Sequence, residues 1–255
     1  MKILSVLIIF LWSFPGAHAA PFCQEQNAYG IPAAEDIELC RQGYAVGFNA
    51  HNKIPDWVAF RLTRESVSPY EDRSRHTFGE DPQVSQDVQA SDNSYRHSGY
   101  DRGHMAPAAS MDFSDKSLYQ SYFYTNVAPQ RPGLNRKGWF RLEKESRQYA
   151  KRFGVVYVVV GPYSDPSVPH TYLRGGVLVP DAFFFVLISP KADIALAYLM
   201  PNKNVPMDEI NKYETSIHYI EKLTGFDFFR KLSGNIANDL ESRNTTVESQ
   251  LENRR

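Results

Sequence analysis

The chain has 255 residues, 42% hydrophobic and 22% charged, with 15 Gly and 16 Pro dispersed along it, a profile that excludes disorder and collagen and suits a folded protein with a substantial core. Its 28 Lys and Arg balance 29 Asp and Glu for a net charge of −1, so any polyanion partner must be met by local clustering rather than by global charge. Two cysteines are too few for a four-thiolate zinc site or a disulfide-built miniprotein.

Taken in chain order, residues 1–19 carry Lys2, an apolar run over 3–14, the break Pro15-Gly16 and the small-x-small signal Ala17-His18-Ala19. This pattern predicts a secretory signal peptide cleaved after Ala19, because the apolar run falls short of the roughly 20 residues a membrane-spanning helix needs. The expected product is secreted or periplasmic and has no membrane anchor. Export into an oxidising compartment predicts a Cys23–Cys40 disulfide, contributing about 3 kcal/mol by closing a modest loop.

Residues 44–49 and 57–62 read as strands, rich in aromatic and β-branched side chains and separated by a turn around Pro55. The polar stretch 64–100 reads as a long loop, a feature that often carries function. Residues 134–153 predict a helix, with Trp139, Leu142, Tyr149 and Phe153 at helical spacing and Gly154 as its stop. Strands follow at 155–160, 177–188 and 194–200, then an amphipathic helix through Ile210, Tyr213, Ile217, Ile220 and Leu223, stopped by Gly225. No repeat or linker divides the chain, which predicts a single α+β domain over 20–232 and a polar, fraying tail over 233–255.

The residues with chemical potential concentrate in 101–143. His104 can take a proton from water near neutral pH. Arg102 carries a planar fork suited to phosphate oxygens, and Gly103 lets the backbone approach a ligand closely. Asn135, near a helix start, reads either as an N-cap or as a metal ligand through its amide oxygen; a strongly hydrated ion such as Mg²⁺ accepts one neutral protein ligand beside waters and phosphate. Glu143 lies eight residues on, about 80° beyond two α-helical turns, so it can face the same cleft, or else pair with Arg147 on the surface. Between Gln130 and Arg152 stand eight basic and two acidic residues, including Arg131, Arg136, Lys137 and Arg141, which read as a solvated helix face or as a track for a nucleic-acid backbone.

The strings DRGHMAPAA, TNVAPQ and LNRKGWFRLE, in this order and with these gaps, resemble the DNA/RNA non-specific endonucleases, a family with a ββα-metal (His-Me finger) active site. The resemblance spans about 44–229. It implies a mostly antiparallel central sheet flanked by helices, His104 as general base, Asn135 as the direct Mg²⁺ ligand with Mn²⁺ as a substitute, and Glu143 as a water-bridged carboxylate. It further implies Arg102 on the phosphate and Asn126 arranging the site. The stretch 74–82 is similar to the family segment whose Arg stabilises the pentacovalent transition state, which points to Arg75. Where the family often has Gln after the metal-binding Asn, this chain has Arg136. The expected activity is Mg²⁺-dependent hydrolysis of DNA and RNA to 5′-phosphate products. The competing readings are a non-catalytic polyanion binder and a phosphodiesterase acting on small substrates. His51, His76, His97, His170 and His218 show no metal-ligand spacing and read as structural or surface residues.

Overall fold

Residues 182–189 (AFFFVLIS) are apolar at every position but the last, which a strand tolerates only where both faces of its sheet are covered. In the computed structural model, which describes residues 23–68, 76–244 and 250, all eight are buried. The sheet has seven strands: β1 (Ile37–Cys40), β2 (Tyr44–Asn49), β3 (Ile54–Thr63), β6 (Val155–Tyr163), β9 (Ala182–Ser189), β10 (Ile194–Pro201) and β11 (Glu214–Thr215), adjacent in that order. Every pairing in it is antiparallel. Two ribbons stand apart from it: β4 (Asp101–His104) with β5 (Val127–Gln130), and β7 (Thr171–Leu173) with β8 (Val177–Val179).

Alternate side chains of the same strands feed two cores. Val58, Phe60, Val158, Val160, Phe183, Phe185 and Leu187 pack with Trp139, Leu142 and Ala150 on one face. Trp57, Ala59, Val159, Phe184, Val186 and Ile188 pack with Ile217, Ile220, Phe228 and Leu240 on the other. The helices are α1 (Asp92–Tyr95), α2 (Ala108–Met111), α3 (Asp115–Ser121), α4 (Phe140–Phe153), α5 (Ile217–Thr224) and α6 (Gly234–Ser242). No helix among the described residues is long and apolar enough to cross a membrane. Cys23 and Cys40 form the expected disulfide, tying the first described segment to β1.

Four expectations are corrected. The strand predicted over 177–188 is two, β8 and β9, interrupted at Pro180-Asp181, where the Asp181 amide turns away to donate to the Tyr163 carbonyl at 3.0 Å. The amphipathic helix predicted from Ile210 to Leu223 is a 3₁₀ turn (Met207–Tyr213), the short β11 and then α5, whose N-cap Ser216 accepts from the Tyr219 amide. Ile210 belongs to one core and Ile217 and Ile220 to the other, so their helical spacing comes from two segments on opposite faces of the sheet. The tail expected to fray from 233 onward carries α6, with Ala237 and Leu240 buried. The predicted helix over 134–153 opens as a π-helical turn (Leu134–Trp139) before α4 begins. The predicted leader, residues 1–19, lies outside the described residues.

Candidate active site

The β4–β5 ribbon is followed, through the π-helical turn, by α4, and this ββα unit presents His104, Asn135 and Glu143 to one cavity of about 370 Å³. Pro107, Ala108, Ala109, Arg136 and Phe140 complete its lining. The π-helical turn contributes directly to this convergence. Its bonds run i→i+5, so each residue adds less rotation than in an α-helix, absorbing part of the 80° excess between positions 135 and 143.

Asn135 is not an N-cap. Its Nδ2 donates to Asp101 Oδ2 at 2.9 Å, across 34 residues of sequence. Arg136 grips the same carboxylate with two bonds, Nε to Oδ2 at 2.8 Å and Nη2 to Oδ1 at 2.7 Å. Burial works to raise the Asp101 pKa, but the hydrogen bonds from Arg136 and Asn135 outweigh it and hold the carboxyl below its ordinary value. An ionised carboxylate only accepts hydrogen bonds, so the amide nitrogen of Asn135 must face Asp101. Its Oδ1 is thereby left with no protein donor among the described residues. Nothing in the sequence marks a contact of this separation for Asp101.

His104 ends β4 with its ring between Phe78 (centroids 4.9 Å apart) and Tyr122 (5.1 Å, edge-on). Its Nε2 is buried and unpartnered, which leaves Nδ1 as the nitrogen able to meet water in the cavity. Burial pushes its pKa down to about 4, keeping the imidazole neutral at physiological pH. Burial pushes Glu143 the other way, up to about 8, with Arg147 acting in opposition. The Phe78 segment is itself pinned by a buried ion pair. Asp81 accepts from Arg41 Nη2 and, at 2.6 Å, from Thr125 Oγ1, and both charged side chains are almost inaccessible to solvent. Gly103 is sterically required, since a Cβ there would come within 2.2 Å of Gln130.

Of the other predicted residues that the structure describes, Arg136 lines the cavity and the rest lie off it. Arg102 pairs with Asp92 and stacks over Phe78 and Tyr95, with its guanidinium carbon 5.6 and 5.5 Å from the ring centres. Asn126 is fully buried; its Oδ1 accepts from the Ala106 amide at 2.8 Å and its Nδ2 donates to the Ala106 and Ser121 carbonyls at 2.9 and 2.8 Å, clamping the chain just beyond His104. Arg75 lies outside the described residues. Four residues of the expected basic track have partners within the protein. Arg131 lies over Tyr100, Lys137 donates to Asn204, Arg141 pairs with Glu145, and Arg136 pairs with Asp101.

The donor set suits a hard cation that keeps most of its water. It offers one free amide oxygen and one carboxylate beside open volume, and no group of three or more His, Cys, Asp or Glu among the described residues could cage a metal ion.

Residues 24–235 match the family model described as DNA/RNA non-specific endonuclease. Nuclease C1 of Cunninghamella echinulata var. echinulata is 30% identical, over 87% of this chain and 94% of its own length. Mitochondrial endonuclease G of Homo sapiens is 34% identical, over 80% of this chain and 73% of its own length. A chain of the solved EndoG/EndoGI complex superposes with a TM-score of 0.77 at 29% identity, covering 82% of this chain and 92% of that one.

Proposed function

The chain belongs to the DNA/RNA non-specific endonuclease family of divalent-metal-dependent nucleases, and from that premise we propose that it hydrolyses phosphodiester bonds of both DNA and RNA to 5′-phosphate products, with Mg²⁺ as its ion and Mn²⁺ as a substitute. The observation that carries this reading is the convergence of His104, Asn135 and Glu143 on one cavity.

In this mechanism His104 Nδ1 accepts a proton from a water as its oxygen attacks phosphorus in line. The bond from phosphorus to the 3′-oxygen breaks, and solvent protonates the departing oxygen. Asn135 Oδ1 would hold the ion, and Glu143 would accept hydrogen bonds from its waters. When bound, the ion supplies charge stabilisation to the phosphoryl oxygens and the leaving oxygen. Asp101 and Arg136 hold the Asn135 amide in its ligating orientation. Phe78 and Tyr122 pack against the His104 ring and shield it from bulk water, preserving the neutral base. Arg102 adds transition-state stabilisation by exchanging Asp92 for a phosphate oxygen, and Arg75 does so in the role the family resemblance assigns to it. Because the nucleophile is water, the 2′-hydroxyl is not needed, and phosphate-directed contacts specify little sequence.

Export belongs to the same reading. Residues 1–19 have the charged start, apolar run and small-residue cleavage site of a secretory leader, and the Cys23–Cys40 disulfide suits an oxidising compartment.

The test is incubation of the purified mature protein with supercoiled plasmid and with RNA, with Mg²⁺ and with EDTA. Cleavage of both that EDTA stops supports the reading; binding without cleavage in Mg²⁺ ends it.

A further inference from the structure

A second cavity of about 330 Å³ adjoins the first, and the two share the Phe140 ring as a wall. It is lined by Phe140, Arg141, Lys144, Glu145, Gln148 and Met207, and no step of the mechanism uses it. Phe140 and Met207 are large apolar side chains left 45% and 41% exposed. A lone exposed apolar residue needs no explanation, but two lining one cleft beside a hydrolytic site do.

The cleft is also built. Arg141 donates through Nη1 to the Met207 carbonyl at 2.9 Å and through Nε to Glu145 Oε1 at 2.8 Å, so its charge is spent on holding the Met207 turn against α4. Phe140, Lys144 and Gln148 follow one i, i+4 ridge of α4. Along that ridge an apolar face leads to a cation and then to an amide able both to donate and to accept.

We infer that this cleft is a nucleobase subsite, in which a base flanking the scissile phosphate stacks on Phe140 against Met207 while Lys144 meets the neighbouring backbone phosphate. The occupant must be flat and apolar on its faces, polar at its edges, and joined to a phosphate that reaches the adjoining cavity. A base of the substrate strand meets all of these conditions. Every base has a π-face, so such a platform adds affinity without demanding sequence. The inference rests on the nuclease reading and names how that site grips a strand beyond its phosphate.

The test compares two fluorescent oligonucleotides of equal length and charge, an oligothymidylate and an abasic strand, by anisotropy in EDTA, where no cleavage occurs. The wild type is expected to bind the base-bearing strand about tenfold or more tightly, Phe140→Ala to lose that preference, and Phe140→Trp to retain it. No preference in the wild type, or an undiminished one in Phe140→Ala, overturns the subsite. A parallel incubation with Mg²⁺ asks whether the wild type cuts the oligothymidylate. Failure there counts against the nuclease reading alone, because the binding comparison does not depend on turnover.

Discussion

The side-chain amide of Asn135 is oriented by Asp101, which accepts from its Nδ2 at 2.9 Å while being held from the other side by the Arg136 fork. The carboxylate has no proton to donate, so it selects one of the two amide orientations, the one that turns Oδ1 away from itself. Asp101→Asn removes that selection and loosens Arg136. Outer partners of metal ligands are typically worth 10- to 100-fold in metal affinity, so the variant should need about that much more Mg²⁺ for half-maximal cleavage. Asn135→Ala, which removes the oxygen itself, should need at least as much. A metal titration of Asp101→Asn that overlays the wild type would show that the orientation does not matter.

His104 should divide binding from turnover. Replacing it with Ala removes the only imidazole that lines the cavity among the described residues, and loss of a positioned general base costs about 10²- to 10⁴-fold in rate. Strand affinity in EDTA should stay near that of the wild type, since binding rests on other residues. Plasmid nicking by His104→Ala at close to the wild-type rate would remove the residue from the chemistry.

Much of this arrangement is readable in the sequence because it is local or periodic. Aromatic and β-branched richness marks β2 and β3, an apolar run marks β9, and three short strings mark the ββα unit. What escapes is held by contacts between distant residues. Asp101 meets Asn135 across 34 positions and Arg41 meets Asp81 across 40, and neither separation leaves a period to detect. The break between Ile210 and Ile217 escapes for a related reason, since helical spacing cannot report that a chain has crossed the edge of a sheet. The basic track is only half legible, because charge counts ignore partners. Arg136 and Arg141 each have a carboxylate within hydrogen-bonding distance in the folded chain.

The opposed shifts of His104 and Glu143 predict how pH enters. Burial lowers His104 to about 4, so its base form survives into mildly acid solution and its protonation should not limit the rate near pH 6. Burial raises Glu143 to about 8, so below that pH binding of the hydrated cation must displace a proton from the carboxylate that accepts from its waters. The Mg²⁺ concentration for half-maximal activity should therefore rise about tenfold per unit as pH falls below 8, and Glu143→Gln should flatten this dependence. In the metal-free protein the folded state holds the Glu143 proton more tightly than the unfolded chain. Its contribution to stability is complete below the ordinary Glu pKa and is lost as pH rises through about 8. Thermal melts in EDTA should show this decline in the wild type and not in Glu143→Gln; parallel curves for the two proteins would contradict the assignment.

The Arg41–Asp81 pair sits outside the cavity and yet should govern it. Arg41→Ala leaves Asp81 buried with its Thr125 bond but no counter-charge, and removing one partner of a buried pair costs about 3–5 kcal/mol. Urea unfolding should report a loss of that size. Replacing both with apolar residues, as in Arg41→Met with Asp81→Leu, should recover much of it, because no lone charge then remains in the interior. Recovery of stability need not restore turnover. Asp81 joins the segment bearing Phe78 to Thr125, and Phe78 walls the His104 ring, so the double variant should fold but cleave more slowly, with its acid limb moved upward as water reaches the imidazole. A double variant with wild-type stability and an unaltered pH profile would show that the pair serves folding alone.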